Sequence, residues 1–281
     1  MEYHFGLAGL QTVLSTPAKI EISHRLRPFL TEPQEKTACS IRVQEVTQLP
    51  QMSDFGTWHG LEYYDRCDDK MRIFHCIADS RSAFAVTEFL RNGNVEILVL
   101  PAYLCWFSGS SGIFNRIGME TLLLQHQGLL LHASLIDYAG CAIAFAGPSG
   151  VGKSTQAELW KTHLQADVIN GDRAALRKTE DGWMAYGFPY AGTSGIYRQT
   201  CAPLKAIVVL KQGKENRLQK ISPAEAFAKV YPELSVHRWD REFAKSAADL
   251  CIELLTQTPI YLLECLPEES AVLLLKKGLG L

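Results

Sequence analysis

The run Gly147-Pro148-Ser149-Gly150-Val151-Gly152-Lys153-Ser154-Thr155 constrains this chain more than any other stretch. It satisfies GxxxxGK[ST] in full. The apolar segment Ala142–Ala146 runs into it, and a helical pattern begins at Lys153, with Ala157, Trp160 and Leu164 on one face. A phosphate chain is compact and highly charged, so it is held by backbone N–H groups converging from a loop that side chains leave open. Gly147, Gly150 and Gly152 permit that close approach and the dihedrals it needs, and the helix start adds its positive end. Residues Gly147, Ser149, Gly150, Val151, Gly152, Lys153, Ser154 and Thr155 form the expected nucleotide cradle. Lys153 reaches the β- and γ-phosphates and the Ser154 hydroxyl ligates Mg²⁺. A glycine-rich turn matching by accident would not bring strand, loop, Lys-Ser and helix into register.

Such a loop does not name a reaction, so its surroundings carry the next step. His132, in Leu130-Leu131-His132-Ala133-Ser134, lies on the strand expected to pair with the one entering the loop. A core histidine satisfied by backbone is the plain alternative. Asp172, in Val168-Ile169-Asn170-Gly171-Asp172-Arg173, follows a short strand just beyond the loop's helix. A carboxylate there can hold Mg²⁺ or take a proton from an incoming hydroxyl; a turn-forming Asp after Asn-Gly is its bland reading. Arg173, Arg177 and Arg198 are candidates for neutralising transition-state charge, and Arg198 follows a loop rich in glycine and hydroxyls, Gly187–Tyr197. His237-Arg238-Trp239-Asp240-Arg241 reads as a solvated helix start.

The remaining chain supplies context. The first hundred residues read as β-rich, with strands at Ser40–Val46, Met71–Ile77 and Val95–Leu100, and with Arg25, Arg27, His59 and the Asp68-Asp69 pair as solvated surface. A helix is expected over Ile113–Leu124. Beyond it strands and helices alternate, with a hairpin turning at Tyr138-Ala139-Gly140, a capping box at Ser222–Glu225 and a long helix capped by Asp240. The expected fold class is therefore α/β, a P-loop sheet core with helices over 111–281, plus a smaller β-rich N-terminal domain over 1–110.

With 28 basic and 30 acidic residues the net charge is −2, which leaves no footprint for nucleic acid. No apolar run approaches the roughly 20 residues of a membrane span, and Met1–Leu14 lacks the basic start of a signal peptide. Cys141, Cys201, Cys251 and Cys265 sit in or beside apolar segments and read as buried thiols, so the expected compartment is the reducing cytoplasm.

Taken together, Leu130–Asp137, Cys141–Thr155 and Val168–Arg173 resemble the HPr kinase/phosphorylase family, whose P-loop core is shared with phosphoenolpyruvate carboxykinases. That family carries a His on the hairpin before the loop, a GxSGxGKS loop and a following acidic pair; His132, Gly147–Thr155 and Asp172 fall on those positions. The resemblance covers residues 115–210. Only one carboxylate of the acidic pair is present, which leaves Asp172 as base, magnesium ligand or both, and the signature used on HPr itself is missing. In layout the chain is similar to the HPr kinase-like proteins that phosphorylate lasso-peptide precursors at a serine. The resemblance implies an ATP- and Mg²⁺-dependent kinase acting on a seryl hydroxyl of a peptide, with Asp172, His132 and Lys153 catalytic, Ser154 and Asp172 on the metal, and a homo-oligomer permitted. A kinase for a serine-like metabolite, or a nucleotide-gated regulator without transfer, uses the same core. An ATP-binding-cassette subunit lacks its LSGGQ-type signature here, and a nucleotide monophosphate kinase its arginine-rich lid.

Overall fold

The computed structural model describes residues 1–67 and 70–281, with Thr193 described by its backbone alone; the Asp68-Asp69 pair lies outside the described residues. Contacts divide the chain into two units, Met1–Leu122 and Leu123–Leu281.

The strands of the first unit are β1 (Glu2–Leu7), β2 (Leu10–Ser15), β3 (Cys39–Glu45), β4 (Thr57–His59), β5 (Glu62–Cys67), β6 (Lys70–Cys76), β7 (Ala83–Phe89) and β8 (Val95–Val99). The unit combines strands of alternating burial, such as β2, β3 and β8, with strands buried on both faces, β6 and β7. The strands form one sheet in the order β1-β2-β3-β8-β7-β6-β5-β4. β3 pairs in parallel with both β2 and β8, and the other neighbours are antiparallel. Phe5, Ile41, Phe74 and Ile97 are wholly buried. A bidentate pair lies within this apolar sheet, Arg72 Nε and Nη2 donating to Asp65 Oδ1 and Oδ2 at 2.7 and 2.8 Å.

The single helix expected over Ile113–Leu124 is broken into α1 (Ser110–Phe114) and α2 (Met119–Gln125). Gly118, at φ +64°, turns the chain between them.

The second unit begins with a hairpin of β9 (Gly128–Tyr138) and β10 (Cys141–Ala146). Ala139 and Gly140 both have positive φ, 54° and 76°, the geometry that matches strand twist in a tight hairpin. Then come α3 (Lys153–Leu164), β11 (Asp167–Asn170), β12 (Arg173–Thr179), β13 (Gly182–Tyr186), β14 (Cys201–Gln212), β15 (Arg217–Lys220), α4 (Pro223–Val230), α5 (Arg241–Gln257), β16 (Ile260–Cys265) and α6 (Glu269–Leu279). Ser222 Oγ accepts from Glu225 N and Asp240 Oδ1 from Glu242 N and Phe243 N, so both expected helix caps form.

The sheet runs β10-β9-β12-β13-β14-β16-β15, with β11 beside β9 and a further parallel pairing of β10 with β14. Alternate residues of its strands enter two cores. Leu129, Leu131, Ala133, Leu135, Ala142 and Ala144 pack with α4 and α5. Ile136, Ile143 and Phe145 pack with Ala157 and Trp160 of α3 and Leu275 of α6.

This architecture corrects the expected fold class. The protein is β-rich, 38% strand against 27% helix, and consists of two large mixed sheets of eight strands each rather than a helix-decorated P-loop α/β core. The physical reason is connection length. The β9–β10 and β12–β13 links are tight turns, which can join only antiparallel neighbours. The N-terminal unit, the shorter of the two, is itself a full eight-stranded sheet.

The thiol reading also needs correction. Cys251 is buried, but Cys201 is exposed and Cys141 and Cys265 are half-buried; the described cysteines are all free. No helix among the described residues is long and apolar enough to cross a membrane.

Candidate active site

β9 organises the site through its backbone. Its pairing with β10 ends at Ala133, which lies opposite Ala146, the last residue before the glycine loop. Two residues earlier the vacated edge is taken by a different segment: Leu131 bridges to Leu234, and Ser235 N donates to Leu130 O. On the other edge Arg173 pairs with His132, and Ala133 N donates to Asp172 O at 3.0 Å. The glycine loop, Asp172 and the segment after α4 therefore converge within three residues of one strand.

His132 stands at that convergence. Its Nε2 lies 3.4 Å from Asp172 Oδ1 and its Nδ1 3.0 Å from Glu233 Oε2. The side chains of His132 and Asp172 are 23% and 29% exposed, open enough to meet a substrate yet held from both sides. This disfavours the reading of His132 as a core residue satisfied by backbone.

Asp172 is fixed by its neighbours. The wholly buried Asn170 accepts from Asp172 N and Arg173 N through Oδ1, at 2.9 and 2.8 Å, and donates through Nδ2 to Phe188 O and Tyr190 O. All of its main hydrogen-bonding capacity is used, so it ties the Asp172 turn to the following loop. That loop comes close: a Cβ on Gly192 would lie 2.7 Å from Asp172 Cγ, and Gly171 meets Ser194 in the same way.

The glycine loop fits a polyphosphate. Gly147, Gly150 and Gly152 take φ of 140°, 80° and 114°, and a Cβ at Gly150 or Gly152 would meet nothing within 4 Å. The loop surface at those positions is therefore open backbone leading to the start of α3, where Ser154 and Thr155 are exposed. Lys153 is buried at the first turn of that helix, its Nζ donating to Gly147 O and Pro148 O at 2.7 and 3.1 Å. Burial pushes its ammonium below the ordinary lysine value, Glu233 and Asp172 pull it back up, and Arg173 opposes them. Those charges act on Lys153 because they share its neighbourhood. No trio of His, Cys, Asp or Glu among the described residues could hold a metal by itself. A Mg²⁺ ion at this loop would lean on the Ser154 hydroxyl, water and phosphate oxygens, the mixed oxygen shell this ion prefers.

Of the candidate arginines, Arg173 belongs to the cluster, its Nε 3.4 Å from Asp172 Oδ2 and its Nη1 3.4 Å from Ser235 Oγ. Arg198 does not: it pairs with Asp167 at the opposite end of β11, Nη1 to Oδ1 at 2.6 Å. Arg177 lies four residues along β12 from Arg173, with its guanidinium over the Tyr186 ring. The His237–Arg241 segment is not a solvated helix start throughout, since His237 and Asp240 are buried and His237 packs against Phe243.

Glu233 and Asn170 are the residues that sequence reasoning missed. Glu233 sits in a short helical turn, Tyr231–Glu233, a hundred residues from His132, and no spacing rule connects them. Asn170 left a weak signal, an Asn two residues before the carboxylate and at the end of an apolar strand.

A family model described as ScmC, SynChlorMet cassette protein, matches residues 119–266. No curated protein matches the chain. The match overturns the resemblance to the HPr kinase/phosphorylase family, and with it the likeness to lasso-peptide precursor kinases. The residues that carried that resemblance were mostly the glycine loop and its lead-in strand, which the physics of phosphate binding demands of many folds and which therefore discriminate poorly between families. The matched stretch spans more than half of the chain and contains His132, Lys153, Asp172 and Glu233, and the protein belongs to the ScmC family of SynChlorMet cassette proteins.

Proposed function

We propose that this protein is an ATP- and Mg²⁺-dependent phosphotransferase that moves the γ-phosphoryl group to an alcohol, with a seryl hydroxyl of a peptide as the acceptor to test first. The observation that carries this reading is the Asp172–His132–Glu233 chain beside a P-loop lysine. An open backbone loop at a helix start binds a triphosphate, and a carboxylate close to its lysine is what transfer to a hydroxyl requires beyond binding.

Asp172 orients the acceptor hydroxyl and takes its proton as the oxygen attacks the γ-phosphorus. The new P–O bond forms as the bond to the β–γ bridging oxygen breaks, and ADP leaves. His132, held by Glu233, keeps Asp172 aimed and can pass the proton on. Lys153 exchanges its bonds to Gly147 O and Pro148 O for phosphate oxygens, and Arg173 balances charge on the equatorial oxygens. Mg²⁺, which the Ser154 hydroxyl would hold, would supply charge neutralisation to the triphosphate. The family's description as a cassette protein supports an acceptor drawn from the products encoded with it.

The test is mass spectrometry of candidate peptides after incubation with ATP, alongside ATP titration. Asp172→Asn is expected to lower transfer by about 10²- to 10⁴-fold with ATP affinity retained, and Lys153→Ala to weaken ATP binding itself. Full transfer by Asp172→Asn, or unchanged ATP affinity in Lys153→Ala, overturns the reading.

A further inference from the structure

The first unit has a second concave site, remote in sequence from the glycine loop. A cleft of about 560 Å³ is lined by Glu62, His75, Phe84, Trp106, Asn115 and Arg116 among others, within the roughly 300–1,000 Å³ typical of small-molecule pockets. Its chemistry is dipolar. Arg116 is half-buried, with its guanidinium carbon over the Phe107 and Phe84 rings at 5.0 and 5.6 Å. Of its five N–H donors, the only side-chain hydrogen bond among the described residues is Nη1 to Gly112 O, 2.6 Å. In the same lining Glu62 accepts from Tyr64 Oη and lies 3.2 Å from His75 Nδ1, while His75 Nε2 meets Thr87 Oγ1 at 2.9 Å. The carboxylate is thus fixed by buried partners, yet its side chain remains 36% exposed.

Arg116 and Glu62 attract one another, but no direct ion pair joins them. Each keeps unused hydrogen-bonding capacity within the cleft lining. The same cleft carries an aromatic wall: Phe84 is buried, Trp106 is 46% exposed, and their rings meet edge to face at 4.7 Å. An exposed indole on a wall flanked by a fixed cation and a fixed anion is matched by a molecule with a flat ring and a short zwitterionic head. A simple carboxylate would bring a like charge beside Glu62 with no cation to offset it, and a simple amine would do the same beside Arg116.

We propose that this cleft binds a free aromatic α-amino acid, with its carboxylate on Arg116, its ammonium on Glu62 and its ring against Phe84 and Trp106. The site is independent of the glycine loop, so its failure and that of the phosphotransferase reading are separable.

Calorimetric titration of the full chain with L-phenylalanine and L-tryptophan tests it. Saturable binding is expected, weakened about 10- to 100-fold for 3-phenylpropionate, which lacks the amine, for 2-phenylethylamine, which lacks the carboxylate, and for L-alanine, which lacks the ring. Arg116→Gln and Glu62→Gln should each weaken L-phenylalanine by about tenfold or more while ATP affinity is kept, and L-phenylalanine should change the native chain's tryptophan fluorescence, a change lost in Trp106→Phe. If a variant does not fold, the analogue series on the native chain decides. No binding of either amino acid at millimolar concentration, equal binding of the analogues, or full affinity in folded Arg116→Gln and Glu62→Gln overturns the proposal.

Discussion

Replacing Glu233 by Gln removes the carboxylate that holds His132 Nδ1 and leaves the glycine loop untouched. Turnover should fall about 10- to 100-fold, below the full effect of a general base, with unchanged ATP affinity, and Glu233→Asp should restore part of it. Equal turnover in Glu233→Gln would remove Glu233 from the mechanism, and a loss of ATP affinity would assign it to binding instead. At this scale the sequence was legible where chemistry needs contiguous residues. Gly147 to Thr155 are neighbours because a backbone cradle has to be, and Lys153 follows from them. Glu233 was invisible because it reaches His132 only after β9 changes edge partner, a tertiary event with no local pattern.

Between β11 and β14 the chain has little slack. Gly192 has φ +53° and a Cβ there would press on Asp172, so Gly192→Ala adds backbone strain and a close contact at once. A loss of about 1–3 kcal/mol is expected in denaturant unfolding, together with a drop in transfer greater than the drop in ATP affinity. In the first sheet Glu62 and His75 face each other across β5 and β6. Burial alone would raise the Glu62 pKa, but hydrogen bonds from His75 and Tyr64 outweigh it and hold the carboxyl below its ordinary 4.5. A depressed folded pKa gives stability that is present above about pH 4.5 and lost as pH falls through the folded value. Acid unfolding should therefore be steeper in the native chain than in Glu62→Gln, and identical acid limbs would contradict the pairing. Element existence was readable from apolar periodicity, as with the β9–β10 hairpin and the Asp240-capped α5. Element partners were not: the expected α/β core failed because strand alternation says nothing about whether β12 lies parallel or antiparallel to β9.

Over the whole molecule the thiols report on folding. Burial pushes Cys39 and Cys251 up to about 12, whereas Cys105 and Cys201 are exposed. Iodoacetamide at neutral pH should label the latter two and spare the former until the chain is denatured, because the thiolate is the reactive form; prompt labelling of Cys251 in the native state would contradict the α5 packing. Apolar neighbours marked Cys141, Cys201, Cys251 and Cys265 alike as buried, and that reading fails most clearly at Cys201, which lies at the exposed start of β14. One architectural feature reaches further. Ala146 before the glycine loop, Arg173 after Asp172 and Leu234 after Glu233 lie opposite three successive rungs of β9, Ala133, His132 and Leu131. Heat inactivation should then coincide with melting of the second sheet rather than precede it, and the amides of those rungs should rank among the slowest to exchange with deuterium.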